Sequence, residues 1–136
     1  MLQRLNPEGL YRPEAYSQVV VGSGLRLVFV SGQVALNAEG EVVAPGDMAG
    51  QARQAYANVG AALAGAGGSP ADVTKLTTYV VRYSPEHLPL IAEAREAVFA
   101  SSLPASTLVG VEALARPEFL IEVEAVAVLD LPAEPG

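Results

Sequence analysis

Two glutamates near the end of the chain have the spacing for chemistry at a single surface. Glu122 and Glu124 lie one residue apart in the apolar segment 120–129. Successive side chains of a β-strand point to opposite faces, so both carboxylates belong to the same face. A glutamate in a cleft would position a water molecule for hydrolysis, whereas a solvated strand end would need no such role. The alternation alone does not choose between the two glutamates or between the two interpretations.

Two further polar side chains lie where strands begin or end. Ser31 belongs to the segment Ser-Gly-Gln that ends an apolar strand, and Tyr16 precedes the first strand. Ser31 either offers a hydroxyl to a ligand or marks the entry to a turn. Tyr16 either closes a pocket or packs with its hydroxyl satisfied. The single histidine, His87, is expected at the surface of a helix start and receives no role.

Composition excludes several kinds of site. The 136 residues are 51% hydrophobic, which is enough for the core of one domain over residues 1–136. The chain has no cysteine and only one histidine, so thiolate nucleophiles, cysteine zinc sites and multi-histidine metal sites are not expected. We therefore expect neither a metal nor a cofactor.

The charge balance argues against a nucleic-acid partner. Lys and Arg number 8 against 15 Asp and Glu, for a net charge of −7. Nucleic-acid binding requires a basic surface, which this composition does not supply. No run of about 18 apolar residues is present, and residues 1–10 lack the pattern of a secretory signal. A cytoplasmic protein without membrane association is the expectation.

Hydrophobic periodicity predicts a small α+β domain. The strand at residues 17–21 should form a hairpin with Arg26–Gln33, and a strand is expected at Val73–Val81. Helices are predicted from Asp47 to about Ala66 and from Ser84 to about Phe99, and two last strands at residues 107–111 and 120–129. This order predicts a mixed sheet with both helices on one face. The other face is largely apolar and should be covered by oligomerisation, while residues 132–136 should fray.

Several of these segments together resemble the RidA/YjgF family, also called L-PSP endoribonucleases. The resemblance is carried by residues 104–128, reading PASTLVGVEALARPEFLIEVEAVAV, and by Ser31-Gly32-Gln33, residues 51–59 and Val73–Val81. It implies a chorismate-mutase-like fold, with a mixed six-stranded sheet and two helices on one face. It also implies a homotrimer with three clefts between subunits.

The resemblance further implies hydrolysis of reactive enamines and imines to ammonia and a 2-keto acid. It places Tyr16, Ser31 and Glu122 in the pocket, with Glu122 positioning the water. The arginine that holds the substrate carboxylate in the family corresponds here to Ser106, and the asparagine of the second helix to Ala92. A hydroxyl does not reproduce a bidentate guanidinium.

Arg116, in the turn before the last strand, is a candidate replacement cation; alternatively it pairs with Glu118 or solvent. Three functions therefore remain. The first is an enamine or imine deaminase of altered specificity, whose ligand is a small imine, enamine, keto acid or carboxylic acid. The second is a metabolite-binding or regulatory protein of the same fold without turnover. The third, an endoribonuclease or translation inhibitor, is opposed by the acidic charge and the lack of a general-base histidine.

Overall fold

The computed structural model describes residues 2–130 of the chain. Its helices and strands follow the order β1 (Leu2–Leu5), β2 (Val19–Gly22), β3 (Arg26–Gln33), α1 (Met48–Gly65), β4 (Val73–Val81), α2 (Leu88–Phe99), β5 (Ala105–Val111) and β6 (Ile121–Leu129). Short 3₁₀ turns at Pro70–Asp72 and Pro85–His87 precede β4 and α2. The α+β class and the two predicted helices are confirmed. The predicted fraying of residues 132–136 concerns a segment outside the described residues.

The main sheet has the strand order β3-β6-β4-β5. The strand β6 is antiparallel to both β3 and β4, whereas β4 and β5 are parallel. The sheet is therefore mixed, as predicted. The strand β6 lies between β3 and β4 and is hydrogen-bonded on both sides, which fixes the backbone that carries Glu122 and Glu124.

The predicted hairpin between residues 17–21 and Arg26–Gln33 is wrong. β2 pairs with β1, a strand the sequence did not indicate, and β3 pairs with β6. The six strands of residues 2–130 thus form a two-stranded and a four-stranded sheet rather than a single six-stranded sheet. Two glycines explain the departure, because a methyl carbon at Gly22 would lie 2.9 Å from Val128 Cγ2 and one at Gly24 2.6 Å from the Leu129 carbonyl oxygen. The chain passes close over the end of β6 at these glycines instead of turning back beside β3.

Helix α1 packs on β3 and β6 and against α2, which closes one face of the main sheet. Its fully buried side chains recur at helical spacing on one side of the predicted helix and include Tyr56, Val59 and Leu63. The Tyr56 hydroxyl is 2.7 Å from Thr78 Oγ1 on β4, and the ring meets Phe99 of α2 edge-on at 6.5 Å. The core therefore satisfies its polar atoms internally, as buried groups must.

Helix α2 begins after a cap in which His87 takes part. The Ser84 backbone N–H donates to His87 Nδ1 at 3.1 Å, and the two residues form a reciprocal capping box. Pro85 occupies the first turn, where a missing N–H costs nothing. His87 thus has a structural role at a helix start that sequence analysis did not assign.

The opposite face of the main sheet is open in the single chain. Leu27 and Phe29 of β3 are 65% and 73% exposed, and they pair with Val128 and Val126 of β6. The face is therefore uncovered around Leu27 and Phe29, as expected, although it also carries the two glutamates of β6. No helix in residues 2–130 is long and apolar enough to cross a membrane.

Candidate functional site

The carboxylate of Glu122 lies against the backbone of β3 at an irregularity in the sheet. The register between β3 and β6 shifts between Val30 and Gln33. A methyl carbon built at Gly32 would lie only 2.2 Å from Glu122 Oε2 and 2.6 Å from its Cδ. Any side chain at residue 32 would displace the carboxylate, so Gly32 is required for its position. A glycine inside a strand is the signal that would have indicated this close approach.

Within residues 2–130, Glu122 makes no hydrogen bond or ion pair with a protein group. Its side chain is half-buried on the open face of the sheet. A carboxylate in this condition has all its acceptor positions available for water or a ligand. This is the requirement for positioning a hydrolytic water.

Glu124 shares the face of Glu122 but is already engaged. The Tyr79 hydroxyl of β4 donates a short hydrogen bond to Glu124 Oε1. That hydrogen bond, together with burial and the negative charges of Glu124 and Glu122, raises the pKa of Tyr79 above its usual value. The structure thus distinguishes the two glutamates that strand alternation left equivalent. Tyr79 was missed because its partner is 45 residues away in the chain.

A buried glutamine fixes the start of β6. Gln51 of α1 is fully buried; its Nε2 donates to the Glu118 carbonyl at 2.9 Å, and its Oε1 accepts from the Leu120 N–H at 2.9 Å. These bonds hold the chain two residues before Glu122. Sequence analysis missed Gln51 because it lies beside the apolar stripe of α1 and has no distinguishing local pattern.

Ser106 and Glu122 lie on opposite faces of the main sheet. Ser106 of β5 pairs in parallel register with Leu76, which is fully buried beneath the helices. Glu122 pairs with Tyr79 on the open face. Paired residues of neighbouring strands share a face, so Ser106 points toward the helical side. One chain therefore does not bring these two predicted site residues together.

Tyr16 is positioned near the start of β5. The neighbouring Ser17 donates its N–H to the Pro104 carbonyl at 3.0 Å and its Oγ to the Leu103 carbonyl at 2.6 Å. Tyr16 itself is half-buried. The structure thus brings the segment containing Tyr16 to the strand that carries Ser106. Ser31 is exposed and precedes Gly32, the residue against which the Glu122 carboxylate lies.

Arg116 is occupied within its own loop. Its Nη2 lies 3.1 Å from Glu118 Oε2, and its guanidinium stacks 4.8 Å from the centre of the Phe119 ring. A hydrogen bond from the backbone of Glu118 itself and the contact with Arg116 lower the pKa of the Glu118 carboxyl. Both side chains are nearly half exposed, so the pair is held only weakly. Arg116 thus pairs with Glu118, which was the alternative to a role as the replacement cation.

Ala92 lines a cavity of about 700 Å³ between α2, the segment before β2 and the start of β5. Its walls include Glu14, Arg95, Glu96, Phe99 and Pro104. No group of three or more histidine or acidic side chains able to hold a metal ion occurs in the described part of the chain. The molecule thus presents two separate regions of interest, Glu122 on the open face and this cavity on the helical side.

Comparison with known proteins gives consistent matches over most of the chain. Residues 9–129 match the family described as Endoribonuclease L-PSP. The 2-iminobutanoate/2-iminopropanoate deaminase of Rattus norvegicus is 33% identical, over 84% of this chain and 80% of its own.

Two solved structures extend the comparison. The Yersinia pestis protein YyfB, a conserved Rid-family protein of unknown function, is 40% identical with a TM-score of 0.89, over 94% of this chain and 98% of its own. Escherichia coli TdcF, solved with bound serine, is 30% identical with a TM-score of 0.67, over 89% and 91%.

Proposed function

Because the chain belongs to the L-PSP endoribonuclease family, which is the RidA/YjgF family, we propose that it hydrolyses reactive enamine or imine metabolites. Its relatives at about 30% identity are named imine deaminases. The observation that carries the proposal is the Glu122 carboxylate, which has no partner among residues 2–130 and lies against Gly32 on the open face of the sheet. Hydrolysis of a C=N bond requires a positioned water, and an available carboxylate can hold it.

In this reaction water adds to the carbon of a C=N bond and the nitrogen leaves as ammonia. Glu122 accepts a hydrogen bond from the water and orients its oxygen toward the imine carbon. A new C–O bond forms to give a carbinolamine, the protons of the added water pass to the nitrogen, and the C–N bond breaks as the C=O bond forms, which releases a keto acid and ammonia. The half-burial of Glu122 supports this role, since a carboxylate beside apolar surface holds water in a fixed orientation.

The proposed active site lies at a cleft between copies in a homotrimer. The exposed Leu27 and Phe29 support assembly through the open face, because a contiguous apolar surface is stabilised by burial. Ser106 and the segment of Tyr16 lie away from the face of Glu122, so a site that uses all of them requires two copies. A monomeric mass by light scattering at micromolar concentration would rule out this cleft.

The proposed specificity differs from that of relatives that retain the family arginine. Ser106 supplies a hydroxyl where a bidentate guanidinium would hold a carboxylate. Tyr16, Ser31 and Ser106 remain our candidates for contacts with the substrate. Arg116 is the weakest candidate, because using it for substrate would break its contact with Glu118.

A second function of the same fold is binding of a small metabolite without turnover. The specific observation in its favour is the double replacement, Ser106 and Ala92, at the positions where the family resemblance expects an arginine and an asparagine. The serine in the TdcF structure also supports small-molecule binding as a capacity of this fold. A ribonuclease function has less support, given the net charge of −7. We place the protein, as a single domain, in the cytoplasm.

The test measures keto-acid and ammonia release from 2-aminoacrylate that a dehydratase generates in the same vessel. We expect the wild type to exceed the spontaneous rate, and Glu122→Ala to lower the enzymatic rate by about 10²-fold. Gly32→Ala should have a similar effect, because its methyl group would occupy the position of the carboxylate.

Glu124→Ala is the matched control, since Glu124 lies on the same face but is bonded to Tyr79, and it should change the rate by less than about threefold. A wild type at the spontaneous rate, with turnover only in Ser106→Arg, would instead support binding without hydrolysis.

A further inference from the structure

Arg95 is the cationic side chain of the 700 Å³ cavity beside α2. It is half-buried and lies one helical turn after Ala92. Burial raises the pKa of Tyr56, whereas the hydrogen bond with Thr78 and the positive charge of Arg95 lower it.

The Arg95 guanidinium has no hydrogen bond or ion pair with any group in residues 2–130. Two carboxylates, Glu14 and Glu96, line the same cavity without approaching Arg95 to within 4.0 Å. A cavity that holds opposite charges apart favours a ligand that carries both charges. A ligand with a single charge would be repelled by one side of the cavity.

Apart from Ser101, the remaining wall is apolar and leaves room for a small molecule. Phe99 and Pro104 are buried residues at the cavity surface, and Ala92 contributes only a methyl group. Small-molecule sites commonly combine such apolar walls with a few charged groups. The volume of about 700 Å³ is ample for a compound of four to six carbons.

We infer that this cavity binds a small zwitterion, with its carboxylate on Arg95 and its cationic nitrogen toward Glu14 and Glu96. Arg95 then supplies the carboxylate anchor that Ser106 lacks, since guanidinium binds a carboxylate through two parallel hydrogen bonds. A 2-amino acid and a protonated 2-imino acid share this chemistry. Identification of the imine as the natural occupant rests on the proposed function, whereas binding of a zwitterion does not.

The test measures dissociation constants by NMR titration of the wild-type protein with 2-aminobutanoate, butanoate and 1-aminopropane. The first compound carries both charges and the other two carry one each. We expect 2-aminobutanoate to bind at least about tenfold more tightly than either. Equal affinities for the three compounds would overturn the inference.

The variant Arg95→Gln should weaken 2-aminobutanoate binding at least about tenfold, and Arg95→Lys, which keeps the charge but not the bidentate geometry, by less. Arg53→Gln is the matched control, because Arg53 is an exposed arginine of α1 that does not line this cavity. Thermal unfolding checks that each variant is folded. Unchanged binding in folded Arg95→Gln would also overturn the inference.

Turnover separates this inference from the proposed function. Zwitterion binding that depends on Arg95, in a protein that does not hydrolyse 2-aminoacrylate, would support the cavity and reject the deaminase. Hydrolysis by the wild type with the same KM in Arg95→Gln would support the deaminase and reject Arg95 as the carboxylate anchor.

Discussion

The two faces of the main sheet carry different kinds of residue, although the same strands build both. On β6, Ile121 and Val123 are fully buried under the helices, while Glu122 and Glu124 alternate with them on the open face. On β4, fully buried Leu76 and Val80 alternate with Thr77 and Tyr79. The covered face is therefore a packed core, and the open face is a surface of apolar side chains and carboxylates.

The polar groups of the two faces differ in whether their hydrogen bonds are completed within the described chain. On the covered side Tyr56 bonds to Thr78, and both ends of the Gln51 amide bond to the backbone of the loop before β6 and its start. On the open side Glu122 has no protein partner within residues 2–130. A buried polar group without a partner is costly, so a core completes its bonds internally. A functional surface instead leaves groups available for water, ligand or another copy.

The largest expected contrast between the faces is in stability. Leu76→Ala should lower the free energy of unfolding by about 2–5 kcal/mol, because it opens a cavity in a fully buried site. Phe29→Ala, on the open face at 73% exposure, should change the stability of an isolated chain by less than about 0.5 kcal/mol. Urea unfolding at low protein concentration measures both.

Light scattering of the same variants at higher concentration tests assembly. Phe29→Ala should shift the protein toward smaller species, whereas folded Leu76→Ala should still assemble. If Phe29→Ala unfolds as readily as Leu76→Ala in the isolated chain, the open face is part of the core and the comparison fails.

The second prediction concerns the opposite faces on which Arg95 and Glu122 lie. If one ligand uses both residues, they must come from different copies. Arg95→Gln and Glu122→Ala should each be at least about tenfold less active alone at low substrate concentration, yet mixed oligomers should recover about one quarter of the wild-type activity, the fraction of clefts with both native residues. The measurement is imine hydrolysis after the two variants are unfolded and refolded together.

Each variant refolded by itself is the control for this recovery. Activity that stays at the level of these controls, with mixed oligomers demonstrated by mass, would show that the two residues do not share a cleft.

The smallest expected effect is the alkaline titration of Tyr79. Its pKa is raised above the ordinary tyrosine value in the folded protein by the hydrogen bond to Glu124 and by burial. A raised pKa contributes stability that is fully present below the unfolded pKa and is lost as the pH rises through the folded pKa. Ultraviolet absorbance of tyrosinate, taken as the difference between wild type and Tyr79→Phe, should therefore place this titration above that of free tyrosine.

Glu124→Gln should move the Tyr79 titration to lower pH, because the neutral amide repels tyrosinate less than a carboxylate does. Glu122→Gln is the control and should move it less, because Glu122 acts on Tyr79 only through its charge. Equal shifts in the two variants would contradict the distinction between the glutamates.

Local patterns predicted much of the fold. The apolar stripe placed the first helix at residues 47–66, against Met48–Gly65 in the structure, because burial of one helix face follows a period of 3.6 residues. The pairing of the first strands was not predicted, because a Gly-Ser-Gly turn is compatible both with a hairpin and with a crossing over β6. Contacts between Gly22, Gly24 and β6 decide between them, and these involve residues more than 100 positions apart.

The candidate site, like the fold, was predicted only in part. Alternation placed Glu122 and Glu124 on one face, and family resemblance selected Glu122. The availability of its carboxylate depends on Gly32 and on the bond between Tyr79 and Glu124, which arise from strand register. Arg95 had no local signal, because an arginine in an amphipathic helix has the same pattern whether it faces solvent or a cavity.

The sequence by itself determined the α+β class, the two helices and the alternation of β6, and its family resemblance predicts Ser106 at the position of the family arginine. These are properties of residue type and of backbone periods that act within a few residues. Only the tertiary structure decided which glutamate is unpaired within residues 2–130, that Ser106 faces away from Glu122, and that Arg95 shares a cavity with two carboxylates. Those properties depend on which distant strands and helices pack together, and no local period of the chain contains that information.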